Sequence, residues 1–136
     1  MATDYSSDSD TWLNWAEATY SGAQTLFLSD NALVWFPAAV IGHQALEMFL
    51  KAALIRRGHR IAKSDVWGHD LCALARQLEN HGVSFTPEFI EDLQKFTDYF
   101  NELRYPATLR NVMGLGQEHG LLLQILVKVL RPHTAA

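Results

Sequence analysis

The chain has 136 residues, 49% of them hydrophobic and 19% charged, which fits one domain with a real core and excludes wholesale disorder. A net charge of −4 excludes a global attraction to nucleic acid or anionic membrane, so any nucleotide or RNA site has to be a local basic patch. The single cysteine, Cys72, excludes a disulfide framework and a cysteine-based zinc site within one chain. Its apolar helical surroundings mark it as an inert core thiol.

Residues 1–8 are polar and acidic and read as a disordered N-terminus without the basic and apolar parts of a signal peptide. Ser9 or Asp10 can cap a first helix. Trp12, Trp15, Ala16, Thr19, Tyr20, Ala23, Leu26 and Phe27 then follow helical periodicity. Gly22 weakens that helix and marks a place where a neighbouring helix comes close. Ser29-Asp30-Asn31 is a turn and cap for a second helix that runs to about Arg57. Pro37 lies inside it, which predicts either a kink or a true start close to Pro37. Gly58 stops it, with Arg56 and Arg57 in its last turn. With Arg60 these are the only tight basic cluster, and they complement the helix dipole.

The second helix holds the most informative stretch, His43 to Leu54, which has no Gly or Pro. Helical spacing stacks His43, Glu47 and Lys51 on one face and puts Ala45, Met48, Phe49 and Ala52 on another side, in the core. Glu followed four residues later by Lys is an ordinary surface pair worth roughly 0.2–0.5 kcal/mol. The ladder therefore reads either as a solvated face or as part of a site.

Residues 58–68 form a connection with turn signals at Ser64-Asp65 and Gly68. A third helix begins near His69, carries Leu71, Leu74, Ala75 and Leu78, and ends at Gly82. Thr86-Pro87-Glu88 opens a fourth helix with a cap, a proline at the first helical position and an acid in the first turn. It presents Phe89, Leu93, Phe96, Phe100 and Leu103 and ends at Tyr105-Pro106. Residues 106–116 are a loop or an irregular helix start. A last helix covers about residues 117–130 and is stopped by Pro132. It is apolar on nearly every side except Gln124 and Lys128, so it is either central or buried in an interface; the small size of the domain favours a helix shared with a second subunit. Its apolar run, 121–130, is too short to span a bilayer. No segment alternates as a strand does. The expectation is an all-α, antiparallel up-and-down bundle of about five helices over residues 9–131, with a tail at 132–136, in a soluble cytoplasmic protein.

The six histidines, His43, His59, His69, His81, His119 and His133, offer neither a His-x-x-x-His nor a Glu-x-x-His pair, so no metal site and no cofactor is expected. Gly114, Gly116 and Gly120 lack the preceding strand and the spacing of a dinucleotide loop and read as turn and helix-start residues. Cys72 has no motif that would make it a nucleophile, and no Ser-centred elbow is present. Arg104 and Tyr105 are the remaining polar candidates. Arg can clamp a phosphate or carboxylate and Tyr can stack on a base; the same pair can equally cap and pack a helix end.

The segment His43-Gln44-Ala45-Leu46-Glu47-x-x-Leu50-Lys51-Ala52 resembles the second-helix signature of HEPN (higher eukaryotes and prokaryotes nucleotide-binding) domains. His69-Asp70-Leu71 followed by Leu74, then Arg104-Tyr105-Pro106, then the amphipathic last helix, resemble further family features in the same order. The resemblance covers roughly residues 10–131. It implies an antiparallel helical bundle, commonly dimeric. One branch is encoded beside, or fused to, a minimal nucleotidyltransferase and has a proposed nucleotide-binding role. Another consists of metal-independent ribonucleases and toxins, whose Arg positions phosphate and whose His, after about four to six intervening residues, does acid–base work.

This chain departs from that ribonuclease motif. Arg110-Asn111 resembles its opening, but Leu115 stands where the His is expected, and His119 lies eight intervening residues beyond Arg110. Arg76 and His81 have a suitable interval but fall in the third helix, away from the family position. Losing the general base costs roughly two to four orders of magnitude in rate, so no catalytic residue is assigned and the balance is against an enzyme.

The resemblance leaves His43, Glu47, Lys51, His69, Asp70, Arg104 and Tyr105 as ligand-binding candidates. Lys51 and Arg104 would supply positive charge, Tyr105 a stacking face, and Glu47 would orient one of them. A buried polar network tying the second helix to the end of the fourth is the competing explanation. The expected function is a non-catalytic module that binds a nucleotide, a nucleotidyltransferase partner, or both, as a homodimer through the last helix, with no membrane or DNA partner. The alternatives are a ribonuclease or toxin with a degenerate site, and a purely structural dimeric interaction protein.

Overall fold

A computed structural model describes residues 7–59, 70–103 and 115–135, with the side chains of residues 102 and 103 outside the description. Five α-helices and two short 3-10 turns make up the described fold, with no strand among the described residues. The all-α bundle expected from periodicity is what the chain forms.

Helix α1 spans Ser9–Phe27. Its cap is Asp8, one residue before the expected pair, and the Asp8 carboxylate accepts from the Asp10 N–H at 3.2 Å. Asn31 caps a 3-10 turn, Ala32–Val34, that leads into α2, Trp35–Arg56. Pro37 therefore falls in the first turn of α2. Its missing N–H is one that the helix start would leave unpaired anyway, so no mid-helix kink is needed. Helix α3 is Leu71–Asn80 and α4 is Pro87–Leu103, where Thr86 Oγ1 accepts from the Phe89 N–H at 3.2 Å. Helix α5 is Glu118–Leu130, and a 3-10 turn, Arg131–Thr134, carries Pro132 immediately after it.

Helix α2 is the axis of the bundle and packs on α1, α3, α4 and α5. Its sequence has the length and hydropathy of a membrane span. In the fold that apolarity is explained by neighbours on several sides, which bury Ala38, Ala39, Leu46, Phe49, Leu50, Ala53 and Leu54 completely. Helix α1 runs antiparallel to α2. Arg56, at the end of α2, donates to Ser9 Oγ at the start of α1, and Tyr20 meets Phe49 edge to face, ring centroids 6.4 Å apart. It also runs antiparallel to α5. Gln24 donates to the Gly120 carbonyl at 2.8 Å, and Arg131 makes a two-pronged bond to Glu17 at 2.7 and 2.8 Å.

Two expectations from α1 are corrected by the packing. Trp15 is 65% exposed although it follows the helical period; Ala16, Ala23 and Phe27 hold the buried face instead. A Cβ on Gly22 would meet nothing within 4 Å, so that glycine marks no close approach. Close approach occurs at Gly42, where a Cβ would lie 3.1 Å from Phe96 and from Leu123, and at Gly120, where it would lie 2.9 Å from the Phe27 Cβ. Gly120 is thus a packing residue in the first turn of α5 as well as a helix-start residue.

Candidate functional site

The His43–Glu47–Lys51 ladder is largely inside the bundle. Lys51 Nζ donates to Glu47 Oε2 at 2.7 Å, and only 7% and 12% of the two side chains are exposed. The reading of this pair as an ordinary surface pair is therefore corrected. The reason is α1, which lies antiparallel over α2 and covers the pair. Trp12 of α1 places its indole face 5.6 Å from Lys51 Nζ, within range of a cation–π attraction. A buried ammonium needs such partners, because an unpaired one would shed its proton or destabilise the fold.

His43 is fully buried. Its ring stacks on Phe100 of α4, centroids 4.3 Å apart and planes 19° from parallel. Four residues along a helix advance the side chain by about 40° beyond a full turn. The ladder consequently drifts across α2, with His43 against α4 and Lys51 against α1.

Asp70 is the N-cap of α3, its Oδ1 accepting from the Cys72 and Ala73 N–H groups at 3.0 and 3.1 Å. The Leu71 N–H donates to the buried hydroxyl of Thr97 on α4 at 3.3 Å. Thr97 lies one turn before Phe100, so the start of α3 and His43 both meet the same stretch of α4. Of the seven candidate residues, Glu47 and Lys51 are in direct contact, and His43 and Asp70 border one stretch of α4. His69, Arg104 and Tyr105 lie outside the described residues, as do Pro106, Arg110, Asn111, Gly114 and Arg60.

Several functional-looking groups have structural tasks. Arg57 Nη1 donates to the Ala53 carbonyl at 2.9 Å and to the His133 carbonyl at 2.8 Å, closing the end of α2 and holding the C-terminal turn. Cys72 is buried, and burial first, then the Asp70 charge, raise its thiol pKa; this suits an inert thiol. Nδ1 of His119 accepts from the Gly116 N–H at 3.1 Å, and its ring meets Tyr99 edge to face at 5.5 Å. Leu115 is a buried core residue. Among the described residues, no group of three or more His, Cys, Asp or Glu is placed to hold a metal ion. Trp12 is the contributor that sequence reading missed. Its periodicity marked it as core, but only the pairing of α1 with α2 sets it over Lys51.

The fold and the ladder define an all-helical module whose most distinctive sequence lies on the central helix. The family model of the HEPN domain matches residues 9–118, most of the chain. The chain belongs to the HEPN domain family. No curated protein and no solved structure matches it.

Proposed function

We propose that this chain is a non-catalytic HEPN module that acts inside the cell by binding a nucleotide, a nucleotidyltransferase partner, or both. The observation that carries the reading is Leu115. It occupies the position where the family's ribonucleases are expected to have their histidine, and its side chain is committed to the hydrophobic core. An aliphatic side chain there supplies no acid–base group. The nearest alternative base, His119, is engaged with the Gly116 backbone at the start of α5.

The binding role is supported by charge held inside the bundle. Lys51 keeps its ammonium between Glu47 and Trp12, and the family segment Arg104-Tyr105-Pro106 continues from α4, the helix against which His43 is stacked. On this reading Arg104 takes the phosphate and Tyr105 the base. A thermal-shift panel of ATP, GTP and short RNA, with and without magnesium, tests it. A ligand at 100 times its dissociation constant adds about 2.7 kcal/mol of stability. The expected result is a shift with a nucleotide that Arg104→Ala abolishes. RNA cleavage that His119→Ala removes would overturn the non-catalytic reading.

A specific observation also favours a homodimer. Leu121, Ile125 and Val129 lie four residues apart on α5 and are 63%, 58% and 38% exposed. Together they form an apolar stripe on the face of α5 turned away from the core, as an isologous helix–helix contact requires.

A further inference from the structure

Helix α5 buries Gly120, Leu123, Leu126, Val127 and Leu130 against the bundle. Its opposite face carries Glu118, Leu121, Ile125 and Lys128, which recur at intervals of three, four and three residues. That is the spacing of the two contact positions in a helix-pairing heptad. Leu121 and Ile125 are 63% and 58% exposed, and Lys128 is exposed with them. The Glu118 side chain is 73% exposed, and its carboxylate stands 3.8 Å from His119 Nδ1. That is too long for a hydrogen bond, so the contact does not tie the side chain down. The stripe is apolar in the middle, acidic at its start and basic at its end. Those charges suit the dipole of α5 itself. They also decide how two copies of the helix can pair.

We propose that α5 pairs with α5 of a second copy in the antiparallel direction, with Leu121 beside the partner's Ile125 and Glu118 beside the partner's Lys128. In an antiparallel pair the first contact position of one helix packs beside the second contact position of the other. The stripe therefore has to complement its own reverse, and it does: aliphatic meets aliphatic and acid meets base. Twofold symmetry repeats each contact, so the apolar residues lie between a Glu–Lys pair at either end. A parallel pair instead sets Glu118 on Glu118 and Lys128 on Lys128, and brings like ends of the two helix dipoles together. An antiparallel pair centred on Ile125 puts Glu118 level with Pro132 and Lys128 level with Leu122, and the nearby Arg131 is already held by Glu17. Exposed ion pairs add little affinity, so the aliphatic residues supply the adhesion and the charges fix direction and register. The inference rests on the homodimer reading above and adds to it how the two helices meet.

Sedimentation equilibrium and disulfide cross-linking test it, with circular dichroism to verify that each variant folds. Glu118→Lys and Lys128→Glu each raise the dimer Kd by at least about tenfold, and the double variant Glu118→Lys/Lys128→Glu returns it to within about threefold of wild type. In a Cys72→Ser background, a mixture of Leu121→Cys and Ile125→Cys proteins forms an interchain disulfide on oxidation faster than either protein alone, because only the mixed pair brings the two positions level. A monomeric wild type overturns the homodimer reading and this inference with it. A dimer overturns the antiparallel register alone if either cysteine variant cross-links best by itself, if the single charge reversals leave its Kd unchanged, or if the double reversal stays as weak as the single ones.

Discussion

Lys51 and Glu47 meet at 2.7 Å beneath the indole of Trp12, with most of both side chains removed from water. The pair lies on the axial helix of the bundle, at its contact with α1. Charge at such a place makes one partner's removal far more damaging than removal of both. Glu47→Ala leaves a buried ammonium without its carboxylate and lowers stability by about 3–5 kcal/mol. The double variant Glu47→Leu/Lys51→Met, which removes both charges and keeps the volume, recovers most of that loss. Urea unfolding of the wild type, the single and the double variants measures the difference. Equal losses in the single and double variants would show that the ion pair is not coupled.

Gly120 and Gly22 respond oppositely to alanine. A Cβ at Gly120 sits 2.9 Å from the Phe27 Cβ and 3.1 Å from Gln24 Oε1, so α5 must move off α1. Gly120→Ala destabilises by about 1–3 kcal/mol. At Gly22 a Cβ meets nothing within 4 Å, and Gly22→Ala gains about 0.5–1 kcal/mol from helix propensity. Melting temperatures of the two variants move in opposite directions.

His133 links stability to pH. Burial, and then the Arg57 charge, lower its pKa below the ordinary 6.5. The folded state thus binds the proton less readily than the unfolded one. The stabilising contribution is present above about pH 6.5 and is lost as pH falls below it toward the depressed folded value. Thermal unfolding followed from pH 7.5 down to 5.5 shows falling stability, and His133→Gln makes the decline shallower. An unchanged slope in the variant would remove His133 from the effect.

The outer face of α5 gives a prediction about assembly. Ile125 is 58% exposed on the outer face of α5 and is not one of its buried residues. Ile125→Asp therefore leaves the melting temperature of the isolated chain close to wild type but places a charge in the stripe formed with Leu121 and Val129. Analytical ultracentrifugation shows the wild type as a dimer and the variant as a monomer. A variant as dimeric as wild type would move the interface elsewhere.

The sequence by itself determined the order of the helical elements and several of their ends. Those signals are local: Thr86-Pro87-Glu88 opens α4, and Gly58 and Gly82 supply the left-handed residues that end α2 and α3; the capping of α3 by Asp70 emerged only in the fold. The ordered motifs on the second helix and beyond it were enough to indicate the family that residues 9–118 match. Spacing shows which residues share a helical face, but not what that face packs against. Trp12 and Trp15 both follow the period of α1, yet Trp12 lies against Lys51 and Trp15 faces solvent. Glu47 and Lys51 read equally well as a surface pair, and burial came only when α1 was laid across them. Gly22 and Gly120 are indistinguishable as letters, and only Phe27 gives Gly120 its steric role. His59 and His81 belong to different helices and meet because two helix ends converge. In each case the deciding contact joins residues distant in the chain, and its energy depends on burial and distance that only the tertiary packing supplies.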